Sequence, residues 1–194
     1  MQFALLGLIL LGILGGFGVY SLLGVASKAV TGKDFREDGP MNMETTSLYN
    51  DGLRLIQEAR YSEALQLFHQ ALELEPNSYI YSSISDAYNG LEDYNAAYTH
   101  AQRAVEVDRY SAEGHKSLGF ALFGLGKHSL ARESFVTSIG INRKFAQSYL
   151  GLGAVYCELG DFQSARLQAT LLDNLDPQRA RILREGIASY GHRK

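Results

Sequence analysis

Residues 61–76 read YSEALQLFHQALELEP, and weaker copies of that phrase return about every 34 residues to the end of the chain. Spaced alanines mark the register: Ala64, Ala97, Ala131 and Ala165 stand 33, 34 and 34 residues apart. A fixed period of this size holds two helices and their turns, and it is the sequence signature of a helical solenoid. In such an array each unit buries its apolar face only against its neighbours, so the fold class is all-α with about four stacked helix pairs.

Outward from that phrase, each unit can be read against the next. Residues 45–77 supply Leu48, Gly52, Tyr61, Ala64, Phe68, Ala71 and Pro76. Residues 78–111 supply Tyr81, Ser85, Tyr88, Tyr94, Ala97 and Ala104, with Ala101 in the place of the large residue and Arg109 in that of the proline. Residues 112–145 supply Leu118, Gly119, Gly126, Ala131 and Phe135, with His115, Ser138 and Arg143 as departures. Residues 146–179 supply Tyr149, Leu152, Gly153, Tyr156, Gly160, Phe162, Ala165 and Pro177. This pattern of a large residue, a small crossing residue, an aromatic, then Ala, Phe, Ala and Pro resembles the tetratricopeptide repeat family. The resemblance implies a right-handed α-solenoid of four helix pairs over 45–177, whose inner groove binds proteins.

Physical chemistry accounts for the pattern without the family name. Gly52, Gly119 and Gly153 belong where backbones approach, while Phe68, Tyr88 and Phe135 fill the remaining space. Gly126 and Gly160 suit left-handed turns between helices. A terminal repeat exposes an apolar face, and residues 178–194 are expected to close it as a capping helix and tail. In that helix Ile182, Leu183 and Ile187 are expected to point inward and Arg179, Arg181 and Arg184 to meet water.

The front of the chain is different. The first 26 of its 194 residues carry no charged side chain, and residues 3–26, FALLGLILLGILGGFGVYSLLGVA, reach roughly 36 Å as a helix, enough to cross a bilayer core. The run is longer than a secretory signal core and lacks a basic residue before it, so residues 1–26 are expected to be an uncleaved transmembrane anchor, with a cleaved signal as the alternative. Lys28, Lys33 and Arg36 follow the run, which favours a single-pass protein with its repeats on the cytoplasmic side; retention of the short N-terminus is the alternative and places them outside. Gly12, Gly15 and Gly16 offer a smooth face for helix packing in the membrane. Residues 27–44, with the Gly39-Pro40 pair, read as a flexible linker.

Net charge is −3 and the basic residues are scattered, which argues against nucleic-acid binding. One cysteine, Cys157, leaves no internal disulfide. The five histidines form neither HExxH nor an i, i+4 pair, and no GxSxG or GxxxxGK[ST] motif occurs. No catalytic residue, metal or cofactor is expected.

Function is then expected in the inner groove. In the resembled family the second, fifth, ninth and twelfth places of each first helix line it, which implies Tyr49, Leu53 and Ile56, then Tyr79, Ser82, Asp86 and Asn89. The third and fourth repeats add Glu113, Lys116, Phe120 and Phe123, then Gln147, Leu150, Ala154 and Cys157. Tyr49, Leu53, Tyr79, Phe120, Phe123 and Leu150 give the groove apolar and aromatic character suited to a docked helix or extended segment. Asp86 and Lys116 can orient a ligand or pair with each other. Chaperone-binding members of the family hold a terminal carboxylate with Lys, Asn and Arg side chains. Here those places hold Tyr49, Leu53, Ser83, Glu113 and Ser117, so no Hsp70/Hsp90-type carboxylate clamp is expected. The sequence thus implies a scaffold or assembly factor that captures a protein partner at a membrane through its groove. The alternatives are a structural subunit packed through the Gly-rich helix and a secreted adaptor.

Overall fold

A computed structural model of the protein describes residues 41–191, all of it helix and short turns. Nine helices follow in order within those residues: α1 (Met43–Gln57), α2 (Tyr61–Leu74), α3 (Ser78–Gly90), α4 (Tyr94–Val107), α5 (Ala112–Gly124), α6 (His128–Ile141), α7 (Ala146–Glu158), α8 (Phe162–Leu172) and α9 (Pro177–Gly191). Helices α1, α3, α5 and α7 each pack on the even helix that follows, and successive first helices α3, α5 and α7 also touch. This is a tetratricopeptide-type solenoid.

Local chemistry sets the helix starts. Asn42, Asp93, Ser111 and Asp161 each accept a hydrogen bond from the backbone N–H three residues on, at 2.9 to 3.1 Å. Asn77 does the same for Tyr79 at 2.9 Å. Each cap contributes about 1 kcal/mol by satisfying a donor the helix cannot.

The interhelical turns need a left-handed residue. Gly126 (φ 70°) and Gly160 (φ 75°) take it in the last two repeats, as their sequence positions predict. In the first two repeats the same conformation falls on Ala59 (φ 56°) and Glu92 (φ 60°). A Cβ disfavours that region by roughly 1 kcal/mol. Ala59→Gly and Glu92→Gly are therefore each expected to raise stability by up to about 1 kcal/mol, less the entropy glycine adds to the unfolded chain. Urea midpoints check this, and an unchanged or lowered midpoint for both speaks against it.

Small residues let rings enter the helix crossings. A Cβ on Gly52 would stand 2.5 Å from the Phe68 ring, and one on Gly119 or Gly151 would stand 2.7 or 2.4 Å from the ring of Phe135. Phe135 thus fits between two consecutive first helices. Ala64, Ala97, Ala131 and Ala165 are fully buried. Where repeat two lacks the large residue, Ala101 is buried as well, and serines 78, 82, 83 and 85 occupy the interior of α3.

Helix α9 closes the last pair. Leu183 and Ile187 are buried against α7 and α8, and a Cβ on Gly153 would meet Leu183 Cδ2 at 2.3 Å. Ile182 does not point inward as expected; it is 47% exposed. Leu183 and Ile187, four apart, define the buried stripe, and Ile182 lies one residue, or about 100°, off it.

The expected single-pass membrane placement is overturned. The longest described helices, α1 and α9, have 15 residues, about 22 Å against a hydrocarbon core of about 30 Å. Among the described residues no helix is long and apolar enough to cross a membrane. The run at 3–26, with Gly12, Gly15 and Gly16, and most of the expected linker lie outside the described residues; helix α1 begins at Met43.

Candidate functional site: a cavity on the inner face

The first helices of all four pairs contribute to one cavity of about 650 Å³. Ile56 comes from α1, Asp86 and Asn89 from α3, Lys116, Phe120, Phe123 and Gly124 from α5, and Gln147 and Glu158 from α7. Tyr61, Tyr94 and His128 enter from the starts of the second helices α2, α4 and α6.

Two rings form its apolar wall, and each is held from behind. Phe120 meets the edge of Phe135 at 4.9 Å between centroids, with the planes at 79°. Phe123 meets His128 at 5.5 Å. Both Phe120 and Phe123 are only partly buried, so part of each ring remains available to a ligand.

Beside them lies an ion-pair network linking repeats two and three. Lys116 is 4% exposed, and its Nζ donates to Asp86 Oδ2 at 2.6 Å while standing 3.2 Å from Glu113 Oε2. Burial pushes the ammonium pKa down, but Asp86 and Glu113 more than offset this, so it ends above the ordinary lysine value. Ser117 donates to Asp86 Oδ1 at 2.8 Å. Lys116 therefore serves the interior and offers no accessible cation.

Four of the eight expected groove residues line the cavity: Asp86, Lys116, Phe120 and Phe123. Ile56, Asn89 and Gln147 from the wider set join them. Tyr49, Leu53, Tyr79 and Leu150 do not. Tyr49 packs on Phe68 at 5.9 Å and accepts from Ser83 at 3.3 Å; Leu53 joins the same first core cluster and Leu150 the last. Tyr79 is 46% exposed, away from the cavity. Cys157 is buried, and burial followed by the nearby Glu158 charge pushes its thiol pKa up. For Tyr49, Leu53, Leu150 and Cys157 a rotation of one helical position, about 100°, separates an inward from an interhelical direction.

Sequence reasoning missed Tyr61, Tyr94, His128 and Glu158, although the period carried a signal for them. Tyr61 and Tyr94 pack on Gly90 and Gly124, so closely that a Cβ there would lie 2.5 and 2.2 Å from the rings. One period further, the equivalents of this Tyr–Gly pair are His128 and Glu158. The chain thus breaks its own repeat inside the cavity. Glu158 is held in place from α9, where Tyr190 donates its hydroxyl to Glu158 Oε1. The Nδ1 of His128 and both amide atoms of Asn89 are buried with no hydrogen-bond partner. Elsewhere, His69 and His100, far apart in sequence, bring their rings to 6.1 Å; among the described residues no group of three or more His, Cys, Asp or Glu side chains could hold a metal.

The fold is that of a tetratricopeptide-type helical solenoid, and the comparisons find the same fold in other proteins. No protein-family model matches the chain. Human tetratricopeptide repeat protein 33 is 33% identical over 99 residues, which is 50% of this chain and 38% of that protein. The solved structure of TTC0263, a thermophilic repeat protein of Thermus thermophilus, superposes with a TM-score of 0.67 at 21% identity, covering 75% of this chain and 80% of that one. The second repeat domain of human RPAP3, solved with the HSP70 peptide SGPTIEEVD, superposes at 0.53 with 20% identity, covering 58% and 95%. The chain is thus similar to tetratricopeptide repeat proteins over about half of its sequence and in its fold. The chain spans less than half the length of the curated relatives it matches.

Proposed function

We propose that the protein is an interaction module that binds a segment of a protein partner in the inner cavity. The observation that carries this reading is that one cavity draws on all four repeats and presents the partly exposed rings of Phe120 and Phe123 beside fixed polar groups. Concave, largely preformed sites with apolar walls and a few placed polar groups are the usual form of a binding site. Proteins of this fold bind peptides, as the RPAP3 complex illustrates.

Recognition of a chaperone tail by a carboxylate clamp is not part of the proposal. Three of the places where that clamp would stand are committed inside the fold: Tyr49 bonds Ser83, and Ser117 bonds Asp86. None of the five supplies a cationic side chain.

A photo-crosslinking residue placed at Gln147, in the cavity, and separately at Arg132, exposed on α6, tests the reading. Partner adducts are expected from position 147 and not from 132. Equal adducts at both, or adducts at 132 alone, would place the binding surface elsewhere.

A further inference from the structure

We infer that the partner segment taken by the cavity carries a cationic side chain, arginine above all, next to an apolar one. This rests on the groove reading above and adds the chemistry of the occupant.

Charge is the first observation. The cavity is lined by the carboxylates of Asp86 and Glu158 against a single ammonium, that of Lys116. That ammonium is spent: it is buried between Asp86 and Glu113. Asp86 is engaged in the same pair, so the charge an entering segment meets is the exposed carboxylate of Glu158, which repels like charge and attracts opposite charge.

Position is the second. The two preceding repeat interfaces close with a tyrosine ring packed on glycine, but here Glu158 stands where Gly90 and Gly124 stand. A carboxylate has replaced the one residue type that lets the neighbouring ring pack flat against the helix. Tyr190 fixes that carboxylate from the C-terminal helix, so it is presented in one orientation. Preorganised carboxylates favour guanidinium, whose planar fork matches two oxygens and whose faces stack on aromatic rings such as Phe120 and Phe123.

The third is Asn89, whose carboxamide has one donor end and one acceptor end and no hydrogen-bond partner for either. A rotation about its side-chain bonds toward the cavity would match it to a peptide bond, which offers the complementary pair. Backbone capture by Asn89 and side-chain capture by Glu158 together describe an extended segment.

The probe is a set of fluorescent hexapeptide pools with acetylated and amidated ends, each with leucine at the third position and Arg, Lys, Gln or Glu fixed at the fourth, titrated against the full chain by anisotropy. The Arg pool is expected to bind about tenfold or more tighter than the Glu pool, a difference of about 1.4 kcal/mol, with the preference shrinking as salt rises. Glu158→Gln, which keeps an acceptor for Tyr190, is expected to remove most of that preference while circular dichroism shows an unchanged fold. If Phe123→Ala weakens binding but the Glu pool binds as well as the Arg pool, the cationic occupant is refuted and the groove reading stands. If no pool responds to Phe123→Ala or Glu158→Gln, both fall.

Discussion

Phe135→Ala is expected to lower stability by about 3 to 5 kcal/mol, the range for truncating a fully buried aromatic. The ring is 0% exposed. It fills the space that Gly119 on α5 and Gly151 on α7 leave open, and it supports the back of Phe120. Glycine backbones on both sides offer no side chain that could collapse into the void, which argues for the upper part of the range. A solenoid is held together through nearest-neighbour interfaces, so this change should also uncouple the last helix pair from the first three. Urea unfolding followed by circular dichroism should show a lower midpoint and a broader transition. A loss below about 1 kcal/mol would contradict the shared position of the ring.

The ion pair should respond asymmetrically to removal of its two ends. Asp86→Ala is expected to cost about 3 kcal/mol, because it leaves the Lys116 ammonium buried with only Glu113 to answer it and strips Ser117 of its acceptor. Lys116→Met is expected to cost under about 1 kcal/mol: the Asp86 side chain is 32% exposed and can turn to water, while methionine fills the same volume. Chemical denaturation of both variants decides the matter, and equal losses would mean that Lys116 is hydrated. The pH dependence has a definite sign. The folded Lys116 pKa is raised, so its contribution is complete below the unfolded lysine pKa of about 10.4 and is lost as pH rises through the higher folded value. The gap between wild type and Lys116→Met should therefore change as the pH rises above about 10.

Much of the architecture was legible because it repeats. Ala64, Ala97, Ala131 and Ala165 mark the same helix crossing four times, and all four are buried. Gly126 and Gly160 announced their turns, whereas Ala59 and Glu92 adopt the same backbone without a residue type that signals it. The single-pass placement expected from the apolar run at 3–26 does not hold: no described helix is long and apolar enough to cross a membrane, and the run itself lies outside the described residues. At the site, the aromatic wall of Phe120 and Phe123 could be anticipated, but the roles of Tyr49, Leu53 and Leu150 could not. Each lies at a boundary between groove and interhelical core, where a small rotation changes which neighbour the side chain meets.

By itself the sequence determined that the protein is a helical repeat, how many pairs it stacks and where small residues admit large ones. Those properties follow from local periodicity and side-chain volume, which every repeat states again. Tertiary structure alone decided that Lys116 is buried on Asp86, 30 residues away, instead of facing a ligand, and that Tyr190 reaches back 32 residues to hold Glu158. It also decided that His128 and Glu158 share one cavity with Phe120. The physical reason is that these contacts depend on the rotation between successive repeats, which the packing of whole helices sets and no local pattern encodes.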